Sequence, residues 1–136
     1  MTDATGVPLV VQTTPANVPD QNQLDALIDA LPTIRQPRGR PRRKPDALMG
    51  DRAYGTKEKI TMVKSRRIKS LLAERSDDRH GSGLGALRYV VERTLACFGH
   101  FRRLKFCYER WDEHFQAFHD LAASLLTRTR WANRIS

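Results

Sequence analysis

The stretch Ala47-Leu48-Met49-Gly50-Asp51 sets the interpretation of the fold, because a short apolar run ends there abruptly in a carboxylate. A four-residue apolar run of this kind is typical of a strand buried inside a sheet. Functional side chains in open α/β sheets gather at the carboxyl ends of the strands. We therefore predict a buried strand over 47–50 and a candidate site at Asp51.

The residues after Asp51 predict a helix and then a second strand. Thr56 is a suitable N-cap for a helix ending near Arg67, with Glu58 in the first turn, where an acid suits the helix dipole. Residues 68–73 are typical of another strand. The order strand, helix, strand indicates an α/β fold.

Two helices are predicted toward the C-terminus. Residues 86–98 form an amphipathic pattern, and the side chains expected on its buried face are Leu87, Val90, Val91, Leu95 and Phe98. A long final helix begins at Asp112, with an expected inward face of Phe115, Phe118, Leu121, Ala122, Leu125 and Leu126. The glycine-rich stretch 80–85 before the first of them predicts a loop beside the site.

The N-terminal part adds one strand and one helix to the prediction. Residues 7–13 are apolar and β-branched after a turn-like stretch, which predicts a buried strand entered from a hairpin. Asp20 is expected to cap a helix that runs to Leu31, with Gln23 completing a capping box. The predicted fold class is thus α/β, a mixed sheet with flanking helices and two C-terminal helices.

The charge is concentrated after residue 34. All 24 Lys and Arg residues lie in 35–136 with 11 of the 15 acids, which gives this region a net charge of +13. Such asymmetry indicates a polyanionic partner, most simply nucleic acid. No apolar run approaches the roughly 18 residues of a membrane span, so a membrane partner is not expected.

Residues 35–45 are expected to form an exposed basic loop. The loop residues predicted to contact DNA are Arg38, Arg40, Arg42, Arg43 and Lys44. Two modes stay open for them. Arg38-Gly39-Arg40-Pro41 resembles the core of an AT-hook, which inserts into the minor groove of A·T-rich DNA. Contact with phosphates alone, without reading sequence, is the simpler alternative.

Asp51 and Glu92 form the candidate metal site. Glu92 falls at the border of the predicted buried helix face, beside Leu95, where it could lean over the sheet edge that carries Asp51. Converging carboxylates hold hard cations such as Mg²⁺. The alternatives are structural: Glu92 has Arg88 four residues before it for a surface ion pair, and Asp51 could cap a turn.

The block 101–111 interleaves basic and aromatic residues. Its arginines Arg102 and Arg103 are candidates for phosphate contact, and its aromatic side chains could stack on unpaired bases. The alternative is that the aromatic rings fill the core while the arginines extend outward.

Four short motifs occur in a specific order along the chain: Gly50-Asp51-Arg52-Ala53-Tyr54, His80-Gly81-Ser82-Gly83-Leu84-Gly85, Tyr89-Val90-Val91-Glu92-Arg93-Thr94 and Phe101-Arg102-Arg103-Leu104. Together they closely resemble the C-terminal half of bacterial DDE transposases of the insertion-sequence-five group, as found in actinobacteria. The resemblance runs from about Gly6 to Trp131. It implies that residues 1–131 are the C-terminal portion of a ribonuclease-H-like catalytic domain and that 132–136 are a tail.

The resemblance also assigns roles to three residues. Asp51 would be the second metal-binding Asp, Glu92 the third carboxylate, and Arg93 a basic residue placed to meet DNA. The metal would be Mg²⁺ or Mn²⁺. The family's first catalytic Asp lies on a strand upstream of the segment equivalent to 6–13, so we expect this chain by itself to be catalytically incomplete.

The function expected from the resemblance is DNA cleavage and strand transfer in transposition, in the bacterial cytoplasm at the nucleoid. The expected partners are the DNA ends of the element and either the upstream transposase segment or a full-length transposase. Such a chain is either a remnant or the second reading frame of an element. The alternative function is a non-enzymatic DNA-binding remnant, or an inhibitor of full-length transposase.

Overall fold

The computed structural model describes residues 1–15, 17–35, 37–73 and 85–135. Their contacts divide the chain into two compact units. The terminal unit consists of Met1–Pro15 with Gly83–Ser136, and the central unit consists of Ala16–Ser82. Of the loop predicted over 80–85, residues 80–84 lie outside the described residues, and Gly85 begins the helix that follows.

The central unit is built on a strand–helix–strand element. Strand β1 (Ala47–Gly50) pairs in parallel with β2 (Lys69–Leu72), in a register that sets Ala47 beside Lys69 and Gly50 beside Leu72. Helix α2 (Lys57–Ser65) connects the two strands and packs against β2. Its N-cap is the predicted one, because the Thr56 hydroxyl oxygen accepts the backbone N–H of Lys59 at 3.3 Å.

The core of the central unit is aliphatic. Its buried side chains are Leu24, Ile28, Leu48, Val63, Ile68 and Leu72. The strands predicted over 47–50 and 68–73 are confirmed as β1 and β2. The predicted mixed sheet is wrong for the described residues, in which the sheet has two strands and both run in the same direction.

The first helix of the central unit is shorter than predicted. A 3₁₀ turn (Asp20–Gln23) leads into α1 (Leu24–Asp29). The predicted cap at Asp20 is wrong, because the N-cap is Pro19 and no side chain caps this end. Ion pairs hold the helix instead: Arg66 Nη2 lies 2.8 Å from Asp25 Oδ1, and Arg66 Nη1 also bonds Asp29. The Arg66 hydrogen bond lowers the pKa of Asp29 below its usual value.

The terminal unit contains the three C-terminal helices. They are α3 (Gly85–Gly99), the single turn α4 (Arg102–Lys105) and α5 (Asp112–Ile135). The prediction of two long helices is confirmed. It missed only the short helical turn between them.

The predicted strand over 7–13 does not form. Pro8 takes part in an isolated antiparallel bridge with Thr2. Beyond it, the side chain of Gln116 on α5 satisfies the backbone: Oε1 accepts the N–H of Thr13 at 2.8 Å, and Nε2 donates to the carbonyl of Val11 at 2.9 Å. Because a side chain takes these groups, the segment pairs with a helix rather than with a sheet.

The inward face of α3 differs from the predicted one. Thr94 is completely buried, whereas Leu95 is 63% exposed and Val91 is 36% exposed. The Thr94 hydroxyl donates to the carbonyl of Gly6 at 2.8 Å, with Val90 O at 3.0 Å as its other acceptor. A polar residue therefore takes the central position, because it can bond a backbone group that no apolar residue could satisfy.

Two more predicted core positions are wrong. Leu121 and Leu125 on α5 are 56% and 43% exposed. Among the side chains of this helix that the structure describes, the buried one is Ala122, a small residue on which a neighbouring segment can pack closely. No helix in the described part of the chain is long and apolar enough to cross a membrane.

The Thr94 hydrogen bond gives a stability prediction. We expect Thr94→Val, which keeps the shape but not the hydroxyl, to lower the free energy of unfolding by about 1–3 kcal/mol, because the buried Gly6 carbonyl loses its donor. Thr94→Ser keeps the donor and should lose less. Urea denaturation followed by circular dichroism measures both, and a Thr94→Val variant as stable as the parent would show that the bond is not needed.

Candidate functional site

Asp51 lies where the sequence predicts it, directly after β1. Its Oδ1 accepts the backbone N–H of Arg52 at 2.6 Å, so the carboxylate caps a 3₁₀ turn (Arg52–Tyr54). The residue is exposed. The capping role of Asp51 is therefore confirmed. The carboxylate also lies at the carboxyl end of a parallel strand, where its role as a metal ligand stays a prediction.

The turn after Asp51 is pressed against the end of β2. Gly55 is buried, and a Cβ built on it would lie 1.7 Å from the carbonyl oxygen of Ala73. Tyr54 is half-buried in the same turn, and burial raises the pKa of its hydroxyl, with the charges of Asp20 and Asp51 adding to the effect. The contact of Gly55 with the end of β2 thus fixes the backbone of the turn that carries Asp51, the candidate metal ligand.

Glu92 lies on the exposed side of α3. Its side chain is 66% exposed and lies 3.8 Å from Arg88 Nη2, the surface pair considered as the alternative. Thr94 points inward two residues later, about 200° around the helix, so Glu92 faces away from the unit's core. A long, solvated i,i+4 pair contributes little to stability. Glu92 is therefore accessible to a cation or to DNA.

The chemistry of the two carboxylates suits a hard divalent cation. Both offer oxygen ligands, both are exposed, and Asp51 is held by its own backbone bond. Asp51 belongs to the central unit and Glu92 to the terminal unit. Among the described residues, no three His, Cys, Asp or Glu side chains gather into a cluster that could hold a metal. The predicted pairing of Asp51 with Glu92 stays a prediction.

The basic loop is a hairpin with an ordered base. Ile34 and Arg42 exchange two backbone hydrogen bonds of 2.8 Å, and Gly39 adopts a φ of +94° near the tip. Positive φ is readily adopted only by glycine. Arg42 forms an ion pair with Asp46 at 2.5 Å, and Lys44 Nζ donates to the carbonyl of Arg66 at 3.0 Å.

The hairpin thus divides its cations into two groups. Arg42 and Lys44 hold its base to the central unit. Arg38, Arg40 and Arg43 are exposed and form no hydrogen bond or ion pair with any residue the structure describes. From the sequence, all five cations were predicted to contact DNA, because a partner within the protein such as the Arg66 carbonyl is distant in sequence.

The terminal unit carries three of the cations predicted to contact DNA, and they too differ in whether another part of the protein binds them. Arg103 bonds Glu109 at 2.7 Å and lies 4.8 Å from the centre of the Phe118 ring, so it is tied into the unit. Arg93 lies over the Tyr89 ring at 5.9 Å, and Arg102 is exposed. Arg93 and Arg102 remain available to a phosphate.

Sequence reasoning missed two residues that shape these surfaces. The Arg66 side chain forms ion pairs with α1, and the Arg66 carbonyl accepts a hydrogen bond from Lys44. In the sequence, only its place near the end of a predicted helix marked this residue. The burial of Thr94 could have been predicted from spacing, because Thr94 lies four residues after Val90 and therefore on the same face of α3.

Comparison with known proteins agrees with the motifs. The family model described as "Transposase DDE domain" matches residues 1–127. A curated relative named as a transposase for insertion sequence element IS402, from Burkholderia cepacia, is 44% identical over 126 residues, which is 93% of this chain. The chain spans 59% of that relative's length. No solved structure matches the chain. Because the family model matches residues 1–127 of the 136, the chain belongs to the DDE transposase family.

Proposed function

We propose that the chain is the C-terminal portion of a ribonuclease-H-like transposase catalytic domain, of the insertion-sequence-five group, over residues 1–131. In this proposal Asp51 is the second metal-binding carboxylate and Glu92 the third. The observation that carries it is the exposed carboxylate of Asp51 at the carboxyl end of a parallel strand, with its backbone held by the close approach of Gly55 to Ala73. Family membership supports the same assignment.

The proposed activity is cleavage and strand transfer of DNA at the ends of the element, in the bacterial cytoplasm. A bound Mg²⁺ or Mn²⁺ would activate the attacking oxygen and stabilise the leaving one. In this chain, Asp51 and Glu92 would offer oxygen ligands to the metal. Arg93, Arg102 and the hairpin arginines would bind DNA phosphates. The first carboxylate would come from a segment upstream of the part equivalent to Gly6–Thr13.

The experiment that tests the proposal joins the chain to an upstream family segment that carries the first Asp. We expect the joined protein to nick a supercoiled plasmid bearing the element ends with Mg²⁺ or Mn²⁺, and EDTA to abolish nicking. The unextended chain should bind the same plasmid without cutting it. Absence of metal-dependent nicking by a folded joined protein would count against the catalytic assignment.

A second function, DNA binding without catalysis, is favoured by the arginines at the hairpin tip, which pair with no residue in the described part of the chain. Such a chain would occupy element ends and inhibit a full-length transposase. It predicts that affinity falls steeply with salt, because bound cations release counterions from DNA. Retention on DNA that is unchanged between low and high salt would exclude this function.

The hairpin gives a mutational prediction for either function. We expect Arg38→Ala with Arg40→Ala to weaken duplex binding and to reduce the slope of log affinity against log salt by about 2, one unit for each lost phosphate contact. Fluorescence anisotropy in EDTA measures the slope. The control is Lys69→Ala, an exposed cation on β2 outside the hairpin, which should leave the slope unchanged.

The same measurement separates the two modes left open for Arg38-Gly39-Arg40. Equal losses on A·T-rich and G·C-rich duplexes indicate phosphate contact, whereas a loss confined to A·T-rich DNA indicates minor-groove binding. An unchanged slope on both duplexes would show that the hairpin tip does not contact DNA.

A further inference from the structure

Three large aromatic side chains lie exposed within six residues of the terminal unit. Phe106 is 51% exposed, and Tyr108 and Trp111 are each 64% exposed. The rings of Phe106 and Tyr108 lie 6.4 Å apart, centre to centre. The interpretation that these rings fill the core is therefore wrong, and the segment 106–111, called here the aromatic loop, has an apolar surface that needs an explanation.

The aromatic loop is held in place from beneath. Arg103 on α4 bonds the carboxylate of Glu109, whose side chain is only 15% exposed, and the same guanidinium lies over the Phe118 ring of α5. The Cys107 thiol lies 3.7 Å from the Glu109 carbonyl. One polar residue of the loop is thus turned inward and neutralised, while its aromatic residues are turned outward.

Cations lie beside the exposed rings along the chain. Lys105 Nζ lies 5.6 Å from the centre of the Phe106 ring. Arg102 and Arg110 are exposed and form no ion pair with the described residues. The nearby acids are accounted for, because Glu109 is paired with Arg103, while Asp112 and Glu113 occupy the first turn of α5, where acids suit the helix dipole.

We propose that the aromatic loop is a stacking platform for unpaired DNA bases. Flat rings with adjacent cations match a single strand, which offers base faces and phosphates together. The bases of an intact duplex are already stacked on one another, so the platform would act on melted or frayed ends. The proposal rests on the proposed function only in taking DNA as the polymer.

The fluorescence of the two tryptophans provides a direct test. In Trp131→Phe the remaining tryptophan is Trp111, and we expect a single-stranded oligothymidylate to quench its emission. In Trp111→Phe the remaining one is Trp131, which is 67% exposed on α5 outside the loop, and its emission should not change. Equal quenching of both tryptophans, or none in either variant, would overturn the proposal.

Affinity measurements give the second arm. We expect Trp111→Ala and Tyr108→Ala each to weaken single-strand binding by about fivefold to a hundredfold, the loss of stacking on one base, with little change for a blunt duplex. Tyr108→Phe keeps the ring and should bind as the parent does. Circular dichroism confirms that each variant is folded.

Two further outcomes would contradict the platform. If Trp111→Ala and Tyr108→Ala disrupt self-association in sedimentation and leave oligonucleotide affinity unchanged, the loop is covered by a second copy of the chain. If they weaken single strand and duplex equally, the loop contacts phosphates alone. Every measurement is made in EDTA, so loss of stacking is distinguishable from failure of metal-dependent cleavage.

Discussion

Replacing Gly55 with alanine is expected to lower the free energy of unfolding of the central unit by about 4 kcal/mol or more, among the largest effects of a single substitution. The added Cβ would lie 1.7 Å from the carbonyl oxygen of Ala73 and 2.8 Å from its carbonyl carbon. Both are backbone atoms at the end of β2. They can withdraw only if β2 shifts from β1 or if the turn carrying Asp51 moves.

Gly99→Ala is the matched control for this substitution. It makes the same chemical change at the end of α3, where a Cβ meets nothing within 4 Å. We expect it to leave stability unchanged or slightly raised, because alanine restricts the unfolded chain. Urea denaturation followed by circular dichroism compares the two variants, and a Gly55→Ala protein as stable as Gly99→Ala would show that the close approach to Ala73 is not rigid.

Asp51→Asn and Glu92→Gln are each expected to reduce metal-dependent nicking by the joined protein at least about 100-fold. Each removes a negative ligand oxygen, and the charge stabilisation that a bound metal supplies is worth several kcal/mol. Neither should unfold the chain, because asparagine still accepts the Arg52 N–H and Glu92 loses only its long surface pair with Arg88.

Glu58→Gln is the control for these two variants, since Glu58 is an exposed acid in the first turn of α2. It should nick as the parent does. Rates are measured with Mg²⁺ and again with Mn²⁺. Retention of nicking by Asp51→Asn or Glu92→Gln at the level of Glu58→Gln would show that the metal-ligand assignment is wrong.

The elements with a strong periodic pattern were predictable. The apolar run of β1, the cap at Thr56 and the long amphipathic repeats of α3 and α5 all depend on residues close in sequence. Local preference and local hydrogen bonds decide such elements. Asp51 was predictable for the same reason, because its position follows from the end of a strand.

The failures depend on contacts between distant residues. The segment after Pro8 has a strand-like composition, but Gln116, more than a hundred residues away in sequence, takes its backbone groups. The hydrophobic pattern assigned Leu95 to the core, whereas the buried position went to Thr94 because the Gly6 carbonyl lies there. Its spacing from Val90 places Thr94 on that face of α3, but the acceptor that makes a buried hydroxyl favourable is the Gly6 carbonyl, which is distant in sequence.

The candidate site shows the same division. Motif order singled out Asp51, Glu92 and the basic surfaces as candidates, and the metal-binding roles of the two carboxylates stay predictions. It did not distinguish cations that bind another part of the protein from cations that pair with no described residue. Arg42, Lys44 and Arg103 are engaged by Asp46, the Arg66 carbonyl and Glu109. Only the folded chain separates these paired cations from Arg38 and Arg40, which pair with no residue that the structure describes.

We propose that Asp51 and Glu92 take part in one metal-dependent reaction. The most direct test compares nicking rates of the joined parent protein, Asp51→Asn, Glu92→Gln and the double variant in one double-mutant cycle. Groups that act as one catalytic unit are strongly non-additive. We predict that each single variant slows nicking at least about 100-fold and that the double variant is no slower than either. Losses that multiply in the double variant, or a single variant that nicks at the parental rate, would contradict the proposal.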